Sequence, residues 1–423
     1  LVLVIGGGVL AVIIVLVAQG MWMLNHELTP QRVAARLEEA TYSKVSVGKV
    51  ERSGTWLRPH LTVTGVAMAP VAGGAALLEV AELEVDVKLL PLLLRRIEVV
   101  RLVVRAPQVR ARIGADGRND FLEMFQGPPE EWQGDGSGRA QKVKERQAFV
   151  AALKEARVID GAASVALEKS GLAFELLGFA GGLDAIEVDP GNLAATNRAM
   201  LEVAGVVRIL ELDRPVELGR IELSGPASVR LFDPVSGELS PDAEGRLLVG
   251  PKSYLGTRLP LFAKSWGKLD VVRSLGVSIP LVPDQLDLAE GPVAVRYRNG
   301  AWQLLEPLAG AMDGWQLILN QGFAVDPSGD KQAGALSVIP TDVWAREFIA
   351  TVGGVLGRVS AALGASAEDD LRKSWYQDGR MVIVLDVEGQ LSSPSVALRN
   401  PLPDTKKVLE NVGKGLLERL LGE

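Results

Sequence analysis

The sequence predicts a mainly β protein: an N-terminal transmembrane helix, then an antiparallel β-sheet with a few flanking helices and a C-terminal amphipathic helix. Three observations predict it. From Glu79 to Ile113, Leu83, Val85, Val87 and Leu89 alternate with Glu82, Glu84, Asp86 and Lys88, and Val109, Ala111 and Ile113 alternate with Arg110 and Arg112. A period of two is what a sheet with one dry and one wet face requires. Residues 1–24 are almost unbroken hydrocarbon, and 46 glycines and 23 prolines in 423 residues suit many short strands joined by turns.

Taken in order, the apolar residues 1–24, with Gln19 the one strongly polar side chain, are expected to form an uncleaved span. As a helix they rise about 36 Å, against roughly 30 Å of bilayer core. The run is long for a signal-peptide core, no small-residue cleavage site follows it, and Trp22 suits the interface. The chain opens on Leu1, so the protein is expected to begin upstream of it. Thr29 and Pro30 read as cap and first residue of a short helix. Val45, Val47 and Val50 predict a first strand, Leu61 and Val63 a second, and the run Leu90-Pro91-Leu92-Leu93-Leu94 a break before the strands at Ile97 and Val109.

Asp116 to Asn119 predicts a turn, with a short segment at Phe121–Phe125. Residues 127–138 are rich in Gly, Pro and acids, and Ala140–Glu155 carries a loose helical stripe. Alternation resumes at Arg157 and runs to Leu319, clearest at Val206–Leu210, Val229–Leu231, Val293–Tyr297 and Trp315–Leu319. Thr341–Ala362 reads as a capped helix, Ser366 and Asp369 as a further cap, Met381–Val387 and Ser395–Leu398 as strands, and Asp404–Leu420 as an amphipathic helix covering a sheet edge. The expected divisions are thus an anchor (1–25), an N-terminal β region (26–126), a flexible segment and helix (127–157), a central β region (158–340), a helical insertion (341–380), and closing strands with the terminal helix (381–423).

The chemistry-bearing residues are few. There is no cysteine, which excludes structural disulfides and thiolate metal sites, and His26 and His60 are the only histidines, which excludes a His-rich metal site. His60, after Pro59, is expected in a turn. A net charge of −7 with interspersed signs argues against nucleic acid as partner. No nucleophile–base arrangement is recognisable, and no metal or cofactor is expected. The apolar row Leu83, Val85, Val87, Leu89, Val99, Leu102, Val109 and Ile113 is the candidate lipid-contact surface, with core packing as the competing reading. Arg101, Arg105, Arg110 and Arg112 are candidates for a phosphate or headgroup, or else the wet face of the sheet. Trp302, Trp315, Trp344 and Trp375 are candidate partner-interface residues, or else core.

Several phrases resemble the AsmA-like family of bacterial envelope proteins. After the N-terminal span, Leu37, Glu38, Ala40, Thr41, Val45, Val47 and Gly48 follow its helix-to-strand phrase. Val87, Leu90, Leu92, Ile97, Val99, Leu102, Pro107, Val109, Gly117 and Asn119 follow its next strands, and Gly389, Leu391, Pro394 and Ser395 its closing pair. Residues 182–334 depart from the pattern. The resemblance implies a single-pass anchor in a bacterial inner membrane and a periplasmic body. It also implies an elongated, curved sheet, groove- or taco-like, related to bridge-like lipid-transfer proteins and sheltering phospholipid acyl chains. An ordinary closed sandwich would bury the same residues against each other. Some sixteen strands at about 4.8 Å spacing reach roughly 75 Å, so lipid transport would need partners or oligomers. Two functions are therefore expected: a non-enzymatic protein binding or guiding phospholipid for envelope lipid transport or homeostasis, or a scaffold or accessory subunit of a larger inner-membrane complex, with a membrane or periplasmic protein partner.

Overall fold

The computed structural model describes residues 29–41, 43–71, 73–94, 96–126, 150–189, 192–214, 216–235, 239–274, 284–357, 369 and 372–399. The expected span at 1–24, with His26, the segment 127–138 and the helix at Asp404–Leu420 lie outside them. Among the described residues no helix is long and apolar enough to cross a membrane. The chain divides into two compact units. The first comprises Leu1–Ser253, Glu290–Gln303 and Asp326–Gly329, and the second Tyr254–Ala289, Leu304–Val325 and Asp330–Glu423.

The first unit opens with α1 (Pro30–Ala40). Thr29 accepts a 3.4 Å bond from the Arg32 N–H, and Pro30, which has no N–H to satisfy, takes the first turn. Val33 and Leu37, four apart, bury one stripe of the helix. The expected first strand is two, β1 (Ser43–Ser46) and β2 (Lys49–Thr55), broken at Gly48. Both pair with β3 (Arg58–Pro70), which pairs with β4 (Leu78–Lys88). The leucine-rich break is a 3₁₀ turn, Leu90–Leu94, leading into β5 (Arg96–Arg105) and β6 (Gln108–Ile113). Asn119 accepts from the Phe121 N–H at the start of α2 (Asp120–Gln126).

The helix expected to end at Glu155 is replaced at its described end by strand. β7 (Val150–Leu153) lies parallel to β5 and antiparallel to β10 (Ile186–Val188), and two ladders outweigh a loose stripe. β8 (Ala156–Leu167) is likewise parallel to β5 and β6, so the sheet is mixed and not wholly antiparallel. A parallel neighbour needs a long crossover, which the chain between Ile113 and Val150 supplies. From β8 the order runs antiparallel through β9 (Leu172–Leu183), β11 (Arg198–Glu211), β12 (Glu217–Phe232), β13 (Leu239–Val249) and β16 (Gly291–Arg298). β17 (Ala301–Leu304) follows the Asn299-Gly300 turn.

A line of backbone kinks crosses these strands at one level. Gly65 in β3, Ala106 between β5 and β6, Asp160 in β8 and Gly178 in β9 have φ of 64°, 46°, 55° and 57°. The register places them together: Gly65 lies between the Thr64–Glu82 and Val66–Val80 pairs, Ala106 and Asp160 follow the paired Arg105 and Ile159, and Gly178 sits where the β8–β9 register slips. Bulges of this kind bend a strand and raise its local twist, so these long strands change direction together.

The second unit contains β14 (Tyr254–Gly256), β15 (Gln285–Leu288), β18 (Leu308–Met312), β19 (Trp315–Leu319), all but the last residue of β20 (Ala324–Asp326), β21 (Lys331–Ile339), β22 (Tyr376–Gln377), β23 (Arg380–Met381), β24 (Ile383–Gly389) and β25 (Pro394–Leu398). Antiparallel pairing links β14, β15, β18, β19, β21, β24 and β25 in that order. The sequence reading missed α3 (Pro260–Ser274), which buries Phe262 and Trp266 at a spacing of four and packs along β25. α4 (Asp342–Gly357) is capped by Thr341, whose hydroxyl accepts from Trp344 N–H at 3.3 Å. Val343, in its first turn, is 67% exposed.

Candidate functional site

The register makes the two-faced character of the first unit explicit. One row of directly paired residues crosses nine strands: Leu61, Val85, Leu102, Ala156, Leu183, Leu201, Ala227, Gly245 and Val295. Each member is apolar or glycine, and each pair is fixed by a ladder. A one-residue slip would bring Glu84 or Asp86 of β4, Glu155 or Arg157 of β8, or Glu244 or Arg246 of β13 into the row, so the hydrophobic pattern specifies the register of these strands.

Burial along the apolar face is uneven. In β4, β5 and β6 it is complete: Val85, Val87, Leu102 and Val109 are buried, with Leu83, Val99 and Ile113, and Leu89 is half-buried. These are the lipid-contact residues expected from sequence. Apart from Ile113, they belong to or pack on one cluster with Val33 and Leu37 of α1, Val229 and Leu231 of β12 and Tyr297 of β16. Through β8, β9, β11 and β12 the same face is covered only in part: Leu167, Leu172, Leu176, Ala199, Val229 and Leu231 are buried, while Val158, Phe179, Leu183, Leu201, Val207, Ile221 and Leu223 are half-buried. The Phe179 ring comes within 3.3 Å of a Cβ position at Gly161 and 3.0 Å of one at Gly181, so it covers two glycines that leave the backbone bare. Sequence reasoning found alternation in β11 and β12, at Val206–Leu210 and Val229–Leu231, but placed no lipid contact in this stretch, whose glycines and register slips interrupt the pattern that marks β4. Phe174, Leu176, Phe179 and Leu183 were the available signal.

The opposite face is a lattice of ion pairs. Arg105 reaches Glu82 at 3.2 Å and Glu84 at 3.0 Å, and its hydrogen bonds hold the Glu84 carboxyl below the ordinary carboxylate range against the opposing effect of burial. Lys88 at 2.6 Å and Lys154 at 3.2 Å do the same for Glu98. Arg110 pairs with Glu79 at 2.7 Å and Arg112 with Glu168, while Arg101 is exposed and its charge also favours ionised Glu84. Further along, Arg208 joins Glu175 and Glu217, and Arg230 joins Asp242. The arginines expected to meet a headgroup thus stand on the charged face, with three of the four in ion pairs, and Arg101 and Leu102 point to opposite sides of one strand. Strand alternation separates these headgroup and tail candidates by the thickness of the sheet.

His60 is not in a turn. The turn is Trp56-Leu57, and His60 lies in β3, with Nδ1 2.6 Å from Asp86 and Nε2 3.2 Å from the Thr62 hydroxyl. That order resembles a nucleophile–base–acid relay. It sits on a strand paired with β2 on one side and β4 on the other, so the backbone N–H groups of that strand are engaged in ladders and are not free to serve as oxyanion donors. Among the described residues no group of side chains suits a metal ion.

Three of the tryptophans expected to face a partner are core instead. Trp315, Trp344 and Trp375 are buried in the second unit, in a series running Trp266, Trp315, Trp344, Phe348, Trp375 with centroid separations of 6.2, 4.9, 5.2 and 5.3 Å. Such contacts add to their area burial. Trp302, in the first unit, is half-buried 5.0 Å from Tyr297, whose phenol is pushed upward by burial and by the charge of Asp326.

Fold and site together define a β-rich protein with one apolar and one ion-paired sheet face. No protein-family model, curated protein or solved structure matches the chain.

Proposed function

We propose that this is a membrane-anchored, periplasm-facing protein that binds or guides phospholipid by its acyl chains along the apolar face of β8, β9, β11 and β12, contributing to envelope lipid transport or homeostasis. The observation that carries the reading is the change in burial along one apolar face: complete over β4–β6, and interrupted over the four strands beyond, where Val158, Phe179, Leu183, Leu201, Val207 and Leu223 stay half-buried between buried neighbours. Exposing such a surface is costly, and each acyl CH₂ laid upon it is worth roughly 0.8 kcal/mol. The apolar residues 1–24 and the phrases resembling the AsmA-like family support the same assignment, a single-pass protein of a bacterial inner membrane. The lipid site so proposed is not the row chosen from sequence, which this protein uses as its own core, and it calls for no catalytic residue.

The test is photocrosslinking. Cells expressing the full chain are fed a fatty acid with a photoactivatable group in its tail, irradiated, and the protein is extracted and digested. Adducts are expected on peptides from β8, β9, β11 and β12. Adducts confined to residues 1–24, or none, would overturn the lipid reading and leave the scaffold or accessory-subunit function standing.

A further inference from the structure

At the end of the first unit where β2 turns into β3 and β4 into β5, large apolar side chains stand in the open. Trp56 is 70% exposed at the hairpin turn, and Leu90 and Leu94, in the 3₁₀ turn, are 58% and 82% exposed. The two turns are joined: the Leu89 N–H donates to the Leu57 carbonyl at 3.1 Å, continuing the β3–β4 ladder one step past Lys88. Arg52 and Arg58 flank Trp56 on the same hairpin, both exposed, one on each side of the turn. Neither is among the ion pairs found in the described residues, whereas most arginines of the neighbouring strands are neutralised by a carboxylate. The turn is closed locally: the Arg58 N–H donates to the Thr55 hydroxyl at 3.2 Å, and the backbone packs so closely that a side chain at Gly54 would meet the Arg58 carbonyl at 2.6 Å.

We infer that this tip is a membrane-surface contact, in which Trp56, Leu90 and Leu94 enter the headgroup–acyl boundary of a bilayer bearing anionic lipid and Arg52 and Arg58 meet its phosphates. A tryptophan is suited to that boundary because its ring is apolar and its N–H finds polar partners there. Exposed leucines gain by leaving water, and cations beside them gain from negative surface charge. A protein groove would also accept Trp and Leu; the two unneutralised arginines are what favour an anionic lipid surface. The contact is separate from the acyl-chain face, since it uses the turns at the strand ends and not the face of the sheet.

The chain has no cysteine, so a single introduced one is labelled without competition. The full chain carrying Trp56→Cys, labelled with bimane, is reconstituted in phosphatidylcholine vesicles containing phosphatidylglycerol, with brominated acyl chains as quencher; Leu94→Cys serves as a second reporter and Val343→Cys, also strongly exposed, as control. Quenching at Trp56 and Leu94 is expected to be several-fold greater than at Val343, and to fall to the control level when Arg52 and Arg58 are changed to Glu or when phosphatidylglycerol is omitted. Labels at both tip positions that stay as accessible to water as the control would overturn the inference. So would quenching indifferent to both the arginines and the anionic lipid.

Discussion

Placing a carboxylate on the apolar face should have opposite consequences at two positions that the alternation pattern makes equivalent. Val87 is 3% exposed and belongs to the cluster closed by α1 and β12; Val207 lies on the half-buried stretch of the same face. Val87→Asp removes a buried side chain worth about 1.5–3 kcal/mol and adds a charge whose burial costs several kcal/mol more. Against a total stability of about 5–15 kcal/mol, that is enough to unfold the region. Val207→Asp leaves its carboxylate in reach of water, and its expected cost is about 0.5–3 kcal/mol, the ordinary range for substitutions. The assay pairs amide exchange of β4 and β5 peptides with mass spectrometry of lipid that copurifies with the full chain. Val87→Asp should lose protection throughout β4 and β5. Val207→Asp should keep that protection and lose lipid. If Val87→Asp stayed folded and merely lost lipid, the apolar face at β4 would be a binding surface and the division between core and site drawn from burial would be wrong.

Two further outcomes follow from the backbone and the charged face. At Gly178, φ is 57° and a Cβ meets nothing within 4 Å, so Gly178→Ala should cost about 1–2 kcal/mol by strain alone, while Ala106→Gly, at φ 46° on the same line of kinks, should be neutral or stabilising; equal losses of denaturation midpoint at both would refute the strain argument. Glu98 is held below the ordinary carboxylate range by Lys88 and Lys154. Its folded value is depressed, so the unfolded chain binds the proton first as pH falls; the stabilisation is present above the unfolded carboxylate value near 4.5 and disappears as pH drops through the lower, folded one. Glu98→Gln should therefore flatten the acid limb of the stability–pH curve and leave less stability near neutrality, and an unaltered acid limb would show that the pair contributes nothing.

The sequence by itself determined which side chains share a face. Leu83, Val85 and Val87 are spaced by two, and no fold that extends this segment can separate them or bring Arg101 to the side of Leu102. It also marked local boundaries whose chemistry is local: Thr29 and Pro30 opening α1, Leu90–Leu94 breaking the sheet, Asn119 starting α2, Thr341 capping α4. Tertiary structure alone decided what each face meets. Whether Val87 or Val207 is covered depends on strands and a helix distant in sequence, so alternation picked out residues that the fold buries as core. The same reason moved His60 from a turn into β3, turned residues 150–153 from helix to strand, and hid three tryptophans in a core. Hydrogen-bond ladders and neighbouring side chains supply the deciding free energy there, and neither is encoded within the window in which a periodicity can be read.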